Sequence, residues 1–87
     1  MRVSADMSDP GYAQYKYALA RGVTYDVQLN NELLTKHVVT ADEEAGEVVR
    51  FKTGPDGKLV ITTVDGDRRV DRETLRGAVR LIERNRR

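Results

Sequence analysis

The chain has no cysteine and no tryptophan, and only one histidine, one phenylalanine and two prolines among its 87 residues. Without cysteine there is no disulfide, no thiol nucleophile and no thiolate metal site, and the compartment is left open because cysteine-free proteins occur in all of them. The fold must stand on packing alone. No apolar run approaches the ~20 residues that span a bilayer. The opening MRVSADMSDP has no signal-peptide hydrophobic region, so the chain is expected neither to insert into a membrane nor to cross one. An excess of one charge is missing too, since 15 Lys and Arg stand against 14 Asp and Glu. Global charge therefore argues for no particular partner, and any such argument must be local.

Patterns that carry chemistry are equally scarce. Gly54-Pro55-Asp56-Gly57-Lys58 has neither the spacing nor the helix-opening context of a phosphate loop. His37 has no second histidine or cysteine with which to share a metal, and no serine or cysteine placed by motif to activate. Asp42, Glu43, Glu44 and Glu47 supply carboxylates, but without the alternating spacing and distant bidentate glutamate of a calcium loop. The expectation is a protein that is not an enzyme and uses no metal or cofactor.

What the chain does have is alternation. At this length it has room for one small domain, expected over 9–84, with 1–8 as an arm and 85–87 as a basic tail. From Val23 to Val64 apolar residues recur at every second position between turn signals, the pattern of antiparallel strands. Val23, Tyr25, Val27 and Leu29 make the clearest strand. Asn30-Asn31 suits a tight turn, leading to a second strand near 36–40 and hence a hairpin. The acidic loop then gives way to VVRFKT, and Gly54-Pro55-Asp56-Gly57 turns the chain into KLVITTV, which predicts a second hairpin over 48–64. Asp65-Gly66-Asp67 signals one more turn.

Before these strands the spacing predicts a helix, with Asp9 as N-cap, Pro10 in the first helical position and Gly22 beyond the last turn. Tyr12, Tyr15 and Leu19 share one face and Ala13, Tyr17 and Ala20 an adjoining one. After the strands, RRVDRETLRGAVRLIERNRR fits two periods. As a helix it would be capped by Asp71 and bury Leu75, Ala78, Val79 and Ile82. As a strand it would alternate Leu75, Gly77, Val79 and Leu81 against Thr74, Arg76, Ala78 and Arg80. Gly77 costs a helix about 1 kcal/mol relative to alanine, and lying under Tyr25 or Phe51 it costs a strand less, so the strand is preferred. The fold class is thus α+β, mostly β: a small antiparallel sheet of about five strands with one N-terminal helix packed against it. The expected core is Val27, Leu29, Val49, Phe51, Leu59, Ile61 and Val79, with Leu19 and the tyrosines over it.

Four stretches together resemble a known group. They are Asp9-Pro10-Gly11-Tyr12, Ala20-Arg21-Gly22-Val23-Thr24, the run from His37 to Phe51 with VVTADEEAGEVVRF at its centre, and Glu73-Thr74-Leu75-Arg76-Gly77-Ala78-Val79-Arg80-Leu81. The chain resembles small uncharacterised proteins encoded in tailed bacteriophages and prophages of proteobacteria. The resemblance implies a phage setting and a β-rich module whose final segment is a strand. It implies no catalytic residues.

The functional expectation is a phage or prophage accessory protein that binds another protein, as a minor virion or assembly component or as a host-directed inhibitor, in the host cytoplasm or the virion. Its contact residues are expected to be the acidic loop, Asp42, Glu43, Glu44 and Glu47, and an arginine row, Arg68, Arg72, Arg76 and Arg80. Opposite charges on one body also suit a homo-oligomer. The alternative is a small nucleic-acid binder using that row, because residues 67–87 hold eight arginines against four acids. No aromatic residue lies among them to stack a base.

Overall fold

A computed structural model describes residues 1–85. It has one helix and nine strands, in the order β1 (Arg2–Ser4), α1 (Tyr12–Ala20), β2 (Val23–Leu29), β3 (Glu32–Leu34), β4 (Val38–Asp42), β5 (Glu47–Phe51), β6 (Ile61–Val64), β7 (Asp67–Val70), β8 (Arg72–Arg76) and β9 (Val79–Asn85). The α+β, mostly β class holds, but the strands form three sheets rather than one. A four-stranded sheet has the order β1-β4-β5-β8, a three-stranded sheet the order β3-β2-β9, and β6 and β7 form a two-stranded ribbon. All described pairings are antiparallel. No described helix is long and apolar enough to cross a membrane.

Local chemistry sets the turns. Asn30 and Asn31 both have positive φ, as do Asp65 and Gly66, and two consecutive positive values match the right-handed twist of the strands that a two-residue turn joins. The asparagine turn therefore returns the chain at once, pairing Leu29 with Glu32. The partner of β2 is thus β3, not a strand at 36–40. Val38–Asp42 instead enters the other sheet, directly after His37, whose φ is 66°.

The expected hairpin over 48–64 is also redistributed. Gly54–Gly57 does turn the chain back, through a bridge between Thr53 and Leu59, but β5 takes β4 and β8 as neighbours. Lys52, Val60 and Asp71 then form a three-way backbone junction. The Val60 N–H donates to the Lys52 carbonyl (3.0 Å), Lys52 N–H to Asp71 (2.8 Å) and Asp71 N–H to Val60 (2.8 Å). From this junction β6 and β7 leave as a ribbon of their own.

The final segment is β-structure throughout its described length, broken at Gly77 so that β8 joins one sheet and β9 the other. Gly77 lies against Asn30, not under Tyr25 or Phe51. A Cβ there would fall 2.5 Å from the Asn30 Oδ1, which accepts the Ala78 N–H at 2.9 Å. The Asn30 N–H donates to the Ala78 carbonyl at 2.8 Å. Asparagine at the first turn thus pins the crossover between sheets.

The core lies between the two larger sheets. Val27, Ala41 and Val48 are its buried centre, with Leu29, Leu34, Val38, Leu75, Val79 and Leu81 packed around them. The phase of β5 is the reverse of the expected one: Val48 is fully buried, while Val49 and Phe51 lie on the opposite face, only half-buried. Facing inward with Val48 brings Arg50 to the same face, and its cross-strand neighbour Glu73 pairs with it at 3.4 Å. Leu59 and Ile61, expected in the core, are exposed.

The N-terminal residues are no free arm. β1 pairs with β4, and Val3 and Ser4 are buried. The Ser4 and Thr40 hydroxyls share a hydrogen bond of 2.7 Å, which satisfies both buried groups. Asp9 is not the helix cap either. Gly11 holds that position without a side-chain bond, and the Asp9 carboxylate accepts the Gly11 N–H and the Arg2 guanidinium. The helix turns Ala18 inward, leaving Leu19 and Tyr17 exposed. Asn85 closes β9; the rest of the expected basic tail, 86–87, falls outside the described residues.

Candidate interaction surface

The residues expected to make contacts are largely occupied within the chain. Asp42 accepts the Ala45 N–H at 2.9 Å and the Arg2 guanidinium at 3.1 Å. Glu43 accepts the Leu81 N–H at 3.1 Å, Glu44 pairs with the N-terminal ammonium at 2.6 Å, and Glu47 pairs with Arg76. The acidic loop is a clasp joining the N-terminus, the β4–β5 turn and the edge of β9. Its electrostatics follow. The Ala45 N–H, then Arg2, holds the Asp42 carboxyl below the usual range. The hydrogen bond from Arg2 does the same for Asp9. Glu44 raises the N-terminal ammonium.

The arginine row is divided. Arg68 is on β7, Arg72 and Arg76 on β8, and Arg80 on β9. Arg72 donates to Asp6 at 2.8 Å and holds its carboxyl down to about 2. Arg76 is tied to Glu47, and Arg84 to Asp26. Among the described residues Arg68, Arg69 and Arg80 have no acidic partner within ion-pair distance, but they lie on two different sheets. Arg68, Arg72, Arg76 and Arg80 are thus spread over three sheets rather than carried on one element. Nor do the described residues gather three His, Cys, Asp or Glu side chains that could hold a metal ion.

The ribbon is the surface that the periodicity did not flag. Every residue of β6 and β7 except Val70 is exposed, with Ile61 51% and Val64 47% accessible. A two-stranded hairpin is marginal in water by itself and gains stability from a third strand or an apolar cover. Beneath the ribbon, Thr62, Val64 and Arg69 face Phe51, Arg72 and Asp6 across an open cleft of about 560 Å³. The Arg72 guanidinium lies 5.5 Å from the centre of the Phe51 ring. A smaller apolar cavity of about 130 Å³ lies where α1 meets the two sheets, lined by Val3, Tyr15, Tyr25, Val27 and Ala41 among others. Gln14 Nε2 donates to the Tyr25 hydroxyl at 3.1 Å.

The strand edges differ in how they are guarded. Charged residues, short strands and capped backbone groups blunt an edge against pairing with other chains. β8 carries Arg72, Glu73 and Arg76; β9 carries Arg80, Glu83 and Arg84, with Glu43 on its Leu81 N–H; β7 carries Asp67, Arg68 and Arg69. β1 and β3 are three residues each. β6, Ile61-Thr62-Thr63-Val64, has no charge and no proline, and among the described residues no strand neighbour besides β7. The signal was in the sequence, as the uncharged run Leu59-Val60-Ile61-Thr62-Thr63-Val64. The alternation of Leu59 and Ile61 matches that of a core strand, which conceals it.

No protein-family model matches the chain, and no curated protein or solved structure matches it either.

Proposed function

We propose that the chain is a non-enzymatic binding module that works by contact with another protein through the β6–β7 ribbon. The observation that carries this reading is a strand pair held in register while Ile61 and Val64 stand in solvent. Apolar side chains presented on an ordered, projecting element are what a protein contact consumes. The sequence resemblance supports a phage or prophage accessory setting, either a minor virion or assembly component or an inhibitor of a host protein. Acting in the host cytoplasm or the virion belongs to that same proposal. Val64→Lys tests it, because lysine there faces Asp67 across the ribbon and leaves the hairpin intact. Tagged wild-type protein should retain a stoichiometric partner from lysate of infected or uninfected host cells, and the variant should lose it. Equal retention by both proteins overturns the reading, and retention of nothing by the wild type removes a protein of the lysate as the ribbon's partner.

A further inference from the structure

We infer that the open edge of β6 pairs with the β6 strand of a second copy of this chain, giving a continuous antiparallel sheet β7-β6-β6′-β7′. The inference rests on reading the ribbon as a contact surface and names its occupant. The Asp71 N–H donates to the Val60 carbonyl, and the register runs Thr62 with Arg69 and Val64 with Asp67. Backbone groups of even-numbered residues therefore point into the ribbon, and those of Ile61 and Thr63 point out.

Two identical antiparallel strands related by a two-fold axis place residues of like parity opposite one another. The outward groups then meet as Ile61 with Thr63′ and Thr63 with Ile61′, each pair exchanging both backbone hydrogen bonds. Thr62 faces Thr62′ on the axis, and Val60 faces Val64′. No charged side chain enters these pairings, so the edge carries no penalty for meeting itself. The run from Leu59 to Val64 is uncharged and free of glycine and proline, the composition that pairs with its own copy. The other long edges carry charges that would have to be matched. Two-fold symmetry also uses both open edges of β6 at once, so the assembly closes as a dimer.

Substitution on the axis tests this with the whole chain. Thr62→Glu faces Arg69 within the ribbon, a favourable cross-strand pair, but puts two carboxylates together across the axis. Thr62→Lys puts two ammonium groups there. In sedimentation equilibrium the wild type should show a concentration-dependent dimer, and each variant alone should be monomeric. An equimolar mixture of the two should form a heterodimer. The inference is overturned by a wild type that stays monomeric to about 1 mM, or by variants that dimerise as the wild type does. It is also overturned by a mixture that does not associate while both variants keep the wild-type circular dichroism. A monomeric wild type that still captures a partner from lysate removes only the second copy as occupant. A dimer that captures nothing removes the foreign partner and leaves self-pairing in place.

Discussion

Replacing Val48 by alanine, beside the same change at Val49, tests the placement of the core. Val48 is fully buried at the centre of the cluster with Val27 and Ala41, opposite Leu75 on β8. Val49 has Thr40 and Thr74 as cross-strand neighbours on the other face. Val48→Ala removes the equivalent of two methylene groups at about 0.8 kcal/mol each. The space left, on the order of 40 Å³, adds about 1 kcal/mol at about 24 cal/mol per Å³. The expected loss is about 2.5 kcal/mol, which for a domain of this size lowers the thermal midpoint by about 10–20 °C. Val49→Ala should cost about 1 kcal/mol or less, since it gives up less burial. Urea titrations followed by circular dichroism give both values on one scale. If Val49→Ala is as damaging as Val48→Ala, β5 faces the other way and the core described above is wrong. Phe51→Ala belongs to the same series: with its ring half-exposed beneath Arg72, its cost should fall short of the ~3–5 kcal/mol of a fully buried phenylalanine.

Other expectations address the N-terminus, the crossover and pH. Deleting residues 1–8 removes buried Val3 and Ser4 together with the bonds from Arg2 to Asp9 and Asp42, and should cost about 3 kcal/mol or more in urea unfolding; a free arm would cost nothing. Gly77→Ala should displace Asn30 and lower stability by about 1–3 kcal/mol, and adding Asn30→Gly should make the pair less than additive; strict additivity would separate the two residues. The carboxyls of Asp6, Asp9 and Asp42 are depressed in the fold, that of Asp6 to about 2, so their contribution is present above about pH 4 and is lost as pH falls through the lowered folded values. The N-terminal ammonium is raised from 8.0, so its contribution is complete below about pH 8 and lost as pH rises through the higher folded value. Urea midpoints that do not fall from about pH 5 to about pH 2.5 would contradict the acid-side prediction.

The class of fold was legible because strand alternation and turn residues are local properties, and most of the expected strands exist. Pairing partners were less legible, because they depend on where a turn closes. Asn30-Asn31 closes at once onto Glu32, freeing Val38–Asp42 for the other sheet. Valines at both 48 and 49 leave the phase of β5 undetermined until neighbours are known. Hydropathy favours Val49 with Phe51, yet the tertiary partner Glu73 makes room for Arg50 and turns Val48 inward. MRVSADMS shows no period because a three-residue strand is too short to display one. The acidic and basic residues were expected as contact groups, and composition could not reveal that most of them pair within the chain. Register does that, setting Glu47 against Arg76 and Arg50 against Glu73.

Amide hydrogen exchange along β6, measured at low and high protein concentration, addresses the strand edge most directly. Thr62 and Val64 point their N–H groups toward β7, whereas Ile61 and Thr63 point theirs away from it. Strand addition at this edge predicts that Ile61 and Thr63 exchange rapidly in dilute protein and gain protection as concentration rises, with far smaller changes at Thr62 and Val64. Exchange at Ile61 and Thr63 that is already slow in dilute protein, or that stays fast at every concentration, would contradict an open edge that accepts a second copy.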